Sequence, residues 1–312
     1  MKGNREVLWA HAALLLVNLF YGANHLIAKG IMPDLLPPNL FILIRVFTAA
    51  ALFWVVLLIT KQREKIDRKD WPRLFLCALF GVAVNQLFFF NGLNLSSSIN
   101  ASIIMTLNPI IVVVLSFFLL KEKLSKNRVI GVLLGATGAI FLTLSSSSEG
   151  TELVLGDLFL FINAASYAMY LVLVKPLMAK YRPMTIITYA FSIGLVYVLL
   201  FPPTLQELQS TDFSVISLNN WMRIGYVVIC VTFLAYLLTL FGLRKLSPSV
   251  SSSYIYLQPI FVIVFAFLFA WIGFTEDYTS TITMEKLLYM VLIFIGVYIT
   301  SRKDKSLSKS SD

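Results

Sequence analysis

Apolar residues run along this chain in stretches of about twenty, and polar residues collect in the short segments between them. A soluble domain needs apolar side chains only on the faces that pack, so continuous stretches of this length point to lipid as the solvent. A helix rises about 1.5 Å per residue and a bilayer's hydrocarbon core is about 30 Å thick, so each stretch has the length of one crossing. The pattern predicts ten helices, at residues 7–28, 39–60, 72–93, 99–120, 128–145, 156–177, 184–200, 221–243, 249–274 and 286–301. The expected fold class is all-α integral membrane, with ten transmembrane helices. The first stretch follows Lys2 and Arg5 as a signal peptide would, but it is too long for a signal's apolar region and nine more follow it. It is read as a retained helix.

Composition agrees: 58% of the 312 residues are hydrophobic, 13% are charged, and the mean hydropathy is +0.83. The formal charge of +9 does not point to nucleic acid, because the basic residues form no single patch or stripe. They gather in alternate segments, among them Lys61, Arg63, Lys65, Arg68, Lys69, Lys121, Lys123, Lys126, Arg244, Lys245, Arg302 and Lys303. The other side carries Lys29, Arg223 and Lys286. By the positive-inside rule this predicts a multi-pass protein of the cell (inner) membrane with both termini cytoplasmic, and an even number of crossings. Cys77 and Cys230 sit in separate apolar stretches and read as packing residues, with no disulfide or metal spacing.

The chain repeats itself. Residues 92–110, GLNLSSSINASIIMTLNPI, align with 242–260, GLRKLSPSVSSSYIYLQPI, at a constant offset of 150, with Pro109 on Pro259 and the preceding amides Asn108 and Gln258 paired. An offset of 146 places Tyr21 on Tyr167, Lys29 on Lys175 and Pro37 on Pro183. A repeat of five helices must lie upside down relative to its partner. We therefore expect a first five-helix repeat over 1–147 and a second over 148–312, joined near 145–155. Further breaks fall at the loop 61–70, the outer loop 206–220 and the polar tail 302–312, which its composition predicts to be disordered. Gly131, Gly135 and Gly138 recur on one helix and suit close approach by a neighbour.

These residues resemble the EamA-type ten-helix members of the drug/metabolite transporter superfamily. The resemblance is carried by FYGANHLIAK at 20–29, LFILIRVFTAA around Arg45, the run from Leu107 through GVLLGATGAIFL, GDLFLFINAASYAMYLVLVK from Gly156 and LQPIFVIVFAFLF from Leu257. It covers nearly the whole chain, and its strength lies in the order of the segments. It implies two inverted halves, cytoplasmic termini, a central cavity open to each side in turn, and export more than import. It implies no particular substrate. The chain departs from the pattern after Trp271, where the counterpart of Glu122 is either Glu276 or Asp277.

Amide, imidazole and guanidinium groups at membrane depth are costly unless they face water or a partner, so they mark candidate sites. The substrate-binding candidates are Asn24, His25, Arg45, Asn85, Gln86, Asn108, Tyr167, Tyr236 and Gln258, with Asn18, Asn163, Tyr170 and Tyr256 at similar depth. Arg45 either attracts an anionic group on a substrate or ties helices together. Asn24 and His25 project about 100° apart, so one of them is expected to face fully inward, Asn24 the more favoured. His25 can carry a proton coupled to transport, or remain a neutral tie between helices. Pro109 and Pro259 break a backbone hydrogen bond and expose polar backbone beside their amides. Tyr167 and Tyr236 offer an aromatic wall with a hydroxyl.

No carboxylate lies mid-membrane in this reading, which argues against an acidic proton relay. Any coupling runs through His25 or through exchange of substrates. His11 and His25 are the only histidines, both on the first helix, and no nucleophile motif accompanies them, so an enzyme is not expected. No cofactor or metal is implied. The reading is a secondary transporter of a small metabolite or an amino-acid-like or aromatic compound. The rivals are a facilitative channel and a non-transporting receptor or scaffold. Its partners are the substrate and the bilayer, and a homodimer is compatible with the sequence.

Overall fold

The computed structural model describes residues 2–61, 63–96, 98–122, 125–144, 153–273 and 284–301. Among them there is no strand, and ten long helical segments fall where the apolar stretches do. They are α1 (Lys2–Lys29), α2 (Pro38–Thr60), α3 (Arg68–Leu95), α4 (98–120), α5 (Lys126–Leu144), α6 (Leu153–Lys180), α7 (Pro183–Leu199), α8 (Leu218–Lys245), α9 (Pro248–Trp271) and α10 (Met284–Ser301). Six of these, α1, α2, α3, α6, α8 and α9, are each long and apolar enough to cross a membrane. Helix α7 passes the same test only with a short helix, Pro202–Ser210, bent from it by 76°. That short helix starts where Pro202 and Pro203 preset the first turn and runs into the segment 206–220 expected to be a break. The carboxylates Glu276 and Asp277, most of the 145–155 join and the 302–312 tail lie outside the described residues.

Large apolar side chains such as Leu58, Ile59, Phe118, Trp271 and Tyr298 stand on the outer surface. Water would not tolerate such a belt, whereas lipid matches it. Inside, one main core runs through α1, α2, α3, α6, α7 and α8. Its principal pairs are α5 with α10, α3 with α6, α1 with α8, α2 with α7, α1 with α9 and α4 with α6. Exchanging each helix for the one five places away maps α3–α6 onto α8–α1 and α4–α6 onto α9–α1.

Glycine allows the tightest of these contacts. A methyl group on Gly296 would stand 2.5 Å from the Gly135 backbone nitrogen and 2.7 Å from the Gly131 carbonyl, so α5 and α10 touch backbone to backbone. The close-approach reading of the α5 glycines holds.

Two lysines close helix ends. Lys29 Nζ donates to the carbonyls of Leu93 (3.0 Å), Asn94 (2.9 Å) and Ser96 (2.8 Å) at the end of α3. Lys175 Nζ donates to those of Leu243 and, at 2.6 Å, Leu246 at the end of α8. A helix leaves its last carbonyls without partners and carries partial negative charge there, and an ammonium supplies three donors and the opposite sign.

The helix ends are also tied across the bundle. Glu207 on the short helix accepts from the Asn39 side chain (2.5 Å) and the Leu40 amide (2.8 Å) at the start of α2, and Asn91 of α3 donates to Asn39 Oδ1 (2.8 Å). At the opposite end Asp70 accepts from Lys180 (2.9 Å) and from the Tyr181 hydroxyl (2.8 Å).

Candidate functional site

A cavity lies where α1, α2, α3, α4, α6, α8 and α9 meet. Its lining is mixed: Asn24, His25, Arg45, Asn85, Gln86, Asn163 and Gln258 supply polar groups, and Tyr21, Phe89, Phe90, Tyr167 and Tyr236 supply rings. Eight of the nine sequence candidates therefore share one space. Asn108 does not line it: fully buried, it donates to the Ala164 carbonyl of α6 at 2.7 Å.

Irregular turns in two helices build the walls. Residues 79–83 of α3 and 227–234 of α8 form π turns, which widen the helix by a residue per turn and rotate the side chains of the next turn. In α8 the Thr232 hydroxyl donates to the Val227 carbonyl five residues back at 3.0 Å, leaving its oxygen free to accept. Arg45 uses it: Nε lies 3.0 Å and Nη2 2.8 Å from Thr232 Oγ1. The guanidinium also stacks over Phe90, 4.0 Å from the ring centroid, a contact worth roughly 0.5–2 kcal/mol. Arg45 is 3% exposed and turned inward instead of toward the surface, and Nη1 has no partner among the described residues. Among the described residues, no carboxylate lines the cavity and Arg45 forms no ion pair.

In α3 the π turn brings the Gly81 carbonyl within 2.8 Å of the Tyr236 hydroxyl, which also lies 3.0 Å from Asn85 Oδ1. Asn163 donates to the Asn85 carbonyl at 2.6 Å. These bonds tie α3, α6 and α8 around the cavity wall.

A relay fixes the orientation of His25. Asn18 Nδ2 donates to the Leu14 carbonyl (2.8 Å), so its Oδ1 accepts from Gln258 Nε2 (2.9 Å), which leaves Gln258 Oε1 facing His25 Nε2 at 3.4 Å. Nε2 is then the protonated nitrogen, and Nδ1 is an acceptor with no partner among the described residues. Asn24 and His25 both line the cavity, unlike the expectation that one alone would face it fully. The space is wide enough that two side chains 100° apart reach it, Phe89 packing edge-on against the imidazole.

The repeat partners Asn108 and Gln258 have diverged in use. The shorter amide reaches a neighbouring backbone, and the longer one reaches two side chains and the cavity. Both come directly after a short 3₁₀ stretch, Met105–Leu107 in α4 and Tyr254–Leu257 in α9, where the proline breaks the α ladder. A second, smaller cavity lies toward the chain start of α1, lined by Asn18, Thr239 and Ser251 among others. It shares Tyr21, Tyr167 and Ile255 with the first, so those three stand between the two. Tyr21 was absent from the candidates, and Asn163 was placed at their depth but not among the substrate-binding residues. Tyr21 had a signal in its alignment with Tyr167, and Asn163 in its place within an apolar helix.

An all-helical bundle with several apolar spans and a polar pocket at its centre is a multi-pass membrane protein built around a buried hydrophilic space. Comparison with known proteins gives the family. Residues 8–144 and again 154–302 match the EamA-like transporter family, and the chain belongs to it. It is 25% identical to the uncharacterized transporter YyaM of Bacillus subtilis over 92% of both chains. It is equally similar to an uncharacterized transporter of Archaeoglobus fulgidus, over 94% of this chain and 97% of that one. A WAT1-related protein of Arabidopsis thaliana is 28% identical over 54% of each. One solved crystal structure superposes with a TM-score of 0.70 at 19% identity, over 96% of both chains, and so shares the fold. The chain is thus a membrane transporter, not an enzyme.

Proposed function

We propose that this chain is a secondary transporter that moves a small aromatic or amino-acid-like metabolite by alternating access, with export as its working direction. The observation that carries the reading is the central cavity, where buried polar atoms without protein partners face rings. Leaving such atoms unpaired costs about 1–3 kcal/mol each, a cost that a bound substrate or water offsets. Asn24, His25, Arg45, Asn85, Gln86, Tyr167, Tyr236 and Gln258 form the binding surface, joined by Tyr21 and Asn163. Asn108 holds α4 to α6 beside it.

All ten helices cross the membrane in this proposal, α1–α5 and α6–α10 forming two inverted repeats with both termini in the cytoplasm. Support comes from the two separate family matches, the equivalent lysine caps at Lys29 and Lys175, and the exchange of helix pairs between halves. The halves rock about the cavity. Rocking outward opens the Glu207–Asn39–Asn91 tie, and rocking inward opens the Asp70–Lys180–Tyr181 tie and the Tyr21–Tyr167 partition. Among the described residues the site has no acidic proton relay, so transport is coupled through His25, through exchange, or not at all.

Counterflow tests this. Purified protein in liposomes, preloaded with unlabelled amino acids, nucleosides or organic anions, is given the labelled compound outside. A carrier shows saturable, transient accumulation for at least one class. A channel equilibrates without counterflow, and a scaffold passes nothing.

A further inference from the structure

The cavity holds one formal charge and nothing to balance it. Among the described residues, Arg45 is the only Lys, Arg, Asp or Glu that lines it. Thr232 occupies Nε and Nη2, and Nη1 remains buried and open. The other open atoms are of both kinds: Asn24 Oδ1, Gln86 Oε1 and His25 Nδ1 are acceptors, and Gln86 Nε2 is an uncharged donor.

A ligand that completes this set brings a negative group to Nη1, donors to the three acceptors and an acceptor oxygen, of a carboxylate or a hydroxyl, to Gln86 Nε2. Charge then decides among ligands with similar donors. A net charge of −1 cancels the guanidinium, whereas a zwitterion leaves +1 uncompensated in a water-poor space, and an unpaired buried charge is strongly unfavourable. Hydroxyl or N–H groups satisfy the acceptors without adding charge. The rings of Phe89, Tyr21 and Tyr167 favour a flat apolar body.

We infer that the cavity binds an aromatic monocarboxylate whose remaining polar groups are uncharged donors, its carboxylate on Arg45, in preference to the corresponding amino acid. This rests on the cavity being the transport site and names the charge type of its cargo.

Three matched probes test it by calorimetric titration of the purified wild-type protein in detergent at neutral pH. They are para-hydroxyphenylpropionate, its carboxamide and tyrosine, which share ring and hydroxyl and differ in charge. The acid binds at least about tenfold tighter than either of the others. Arg45→Gln removes its advantage over the carboxamide, and if that variant does not fold, the wild-type comparison decides alone. Tyrosine or the carboxamide binding as tightly as the acid overturns the inference, as does failure of all three to bind at millimolar concentration. Flux in liposomes separates the two readings. Acid-selective binding without saturable flux removes the transporter and leaves the site. Saturable flux of tyrosine with no preference for the acid removes the inference and leaves the transporter.

Discussion

Adding one methyl group to Gly296 tests the closest packing in the bundle. In Gly296→Ala the new carbon would stand 2.5 Å from the Gly135 nitrogen, 2.7 Å from the Gly131 oxygen and 2.8 Å from the Gly135 α-carbon, all backbone atoms that no rotamer change can move. Ordinary contact needs about 3.5–4.0 Å, so α5 and α10 must part by roughly 1 Å. Overpacking of this kind costs about 1–3 kcal/mol. At about 2–4 °C per kcal/mol for a chain of this order of size, the melting temperature in detergent falls by roughly 2–12 °C. Gly225→Ala is the control, since a methyl group there meets nothing within 4 Å and alanine is the better helix former. The assay is thermal melting of both variants beside wild type in one detergent. A Gly296→Ala protein that melts with wild type, or a Gly225→Ala protein that falls as far, would refute the backbone-contact argument.

Other perturbations draw on the same geometry. Lys29→Met leaves three α3 carbonyls without a donor and lowers the melting temperature, charged hydrogen bonds being worth about 1.5–3 kcal/mol each, while Lys29→Arg recovers part of the loss. Thr232→Val removes the acceptor that aims Arg45, so saturable flux falls by about tenfold or more with little change in melting, read by initial uptake rates. Tyr21→Ala opens the partition between the cavities. In a background lacking Cys77 and Cys230, Asn24→Cys in the central cavity then reacts faster with a thiol reagent applied from the cytoplasmic side, and an unchanged rate counts against the partition.

The helix positions were readable because lipid imposes one simple demand, about twenty apolar residues, and the prolines and lysines at helix ends mark where it stops. What evaded that reading depends on contacts distant in sequence. The π turns at 79–83 and 227–234 have no local signal: the packing of Gly81 against Tyr170 and the bonding of Thr232 to Arg45 are seen only once the helices assemble. The helix Pro202–Ser210 is short and polar, so hydropathy passed over it, although its paired prolines announced a first turn. Within the site, rarity of amides in apolar surroundings brought out Asn24, Asn85, Gln86 and Gln258. The same criterion cannot tell a cavity-facing amide from Asn108, which is equally rare and serves a neighbouring carbonyl.

Alternate exposure of the central cavity is the claim on which the proposed function rests, and Asn24→Cys in the background lacking Cys77 and Cys230 measures it most directly. A small anionic methanethiosulfonate is applied to one face of oriented vesicles and then, in separate samples, to the other. The account predicts reaction from either face, slowed by bound substrate from both. Reaction from one face only, or from neither in protein that still transports, would contradict it.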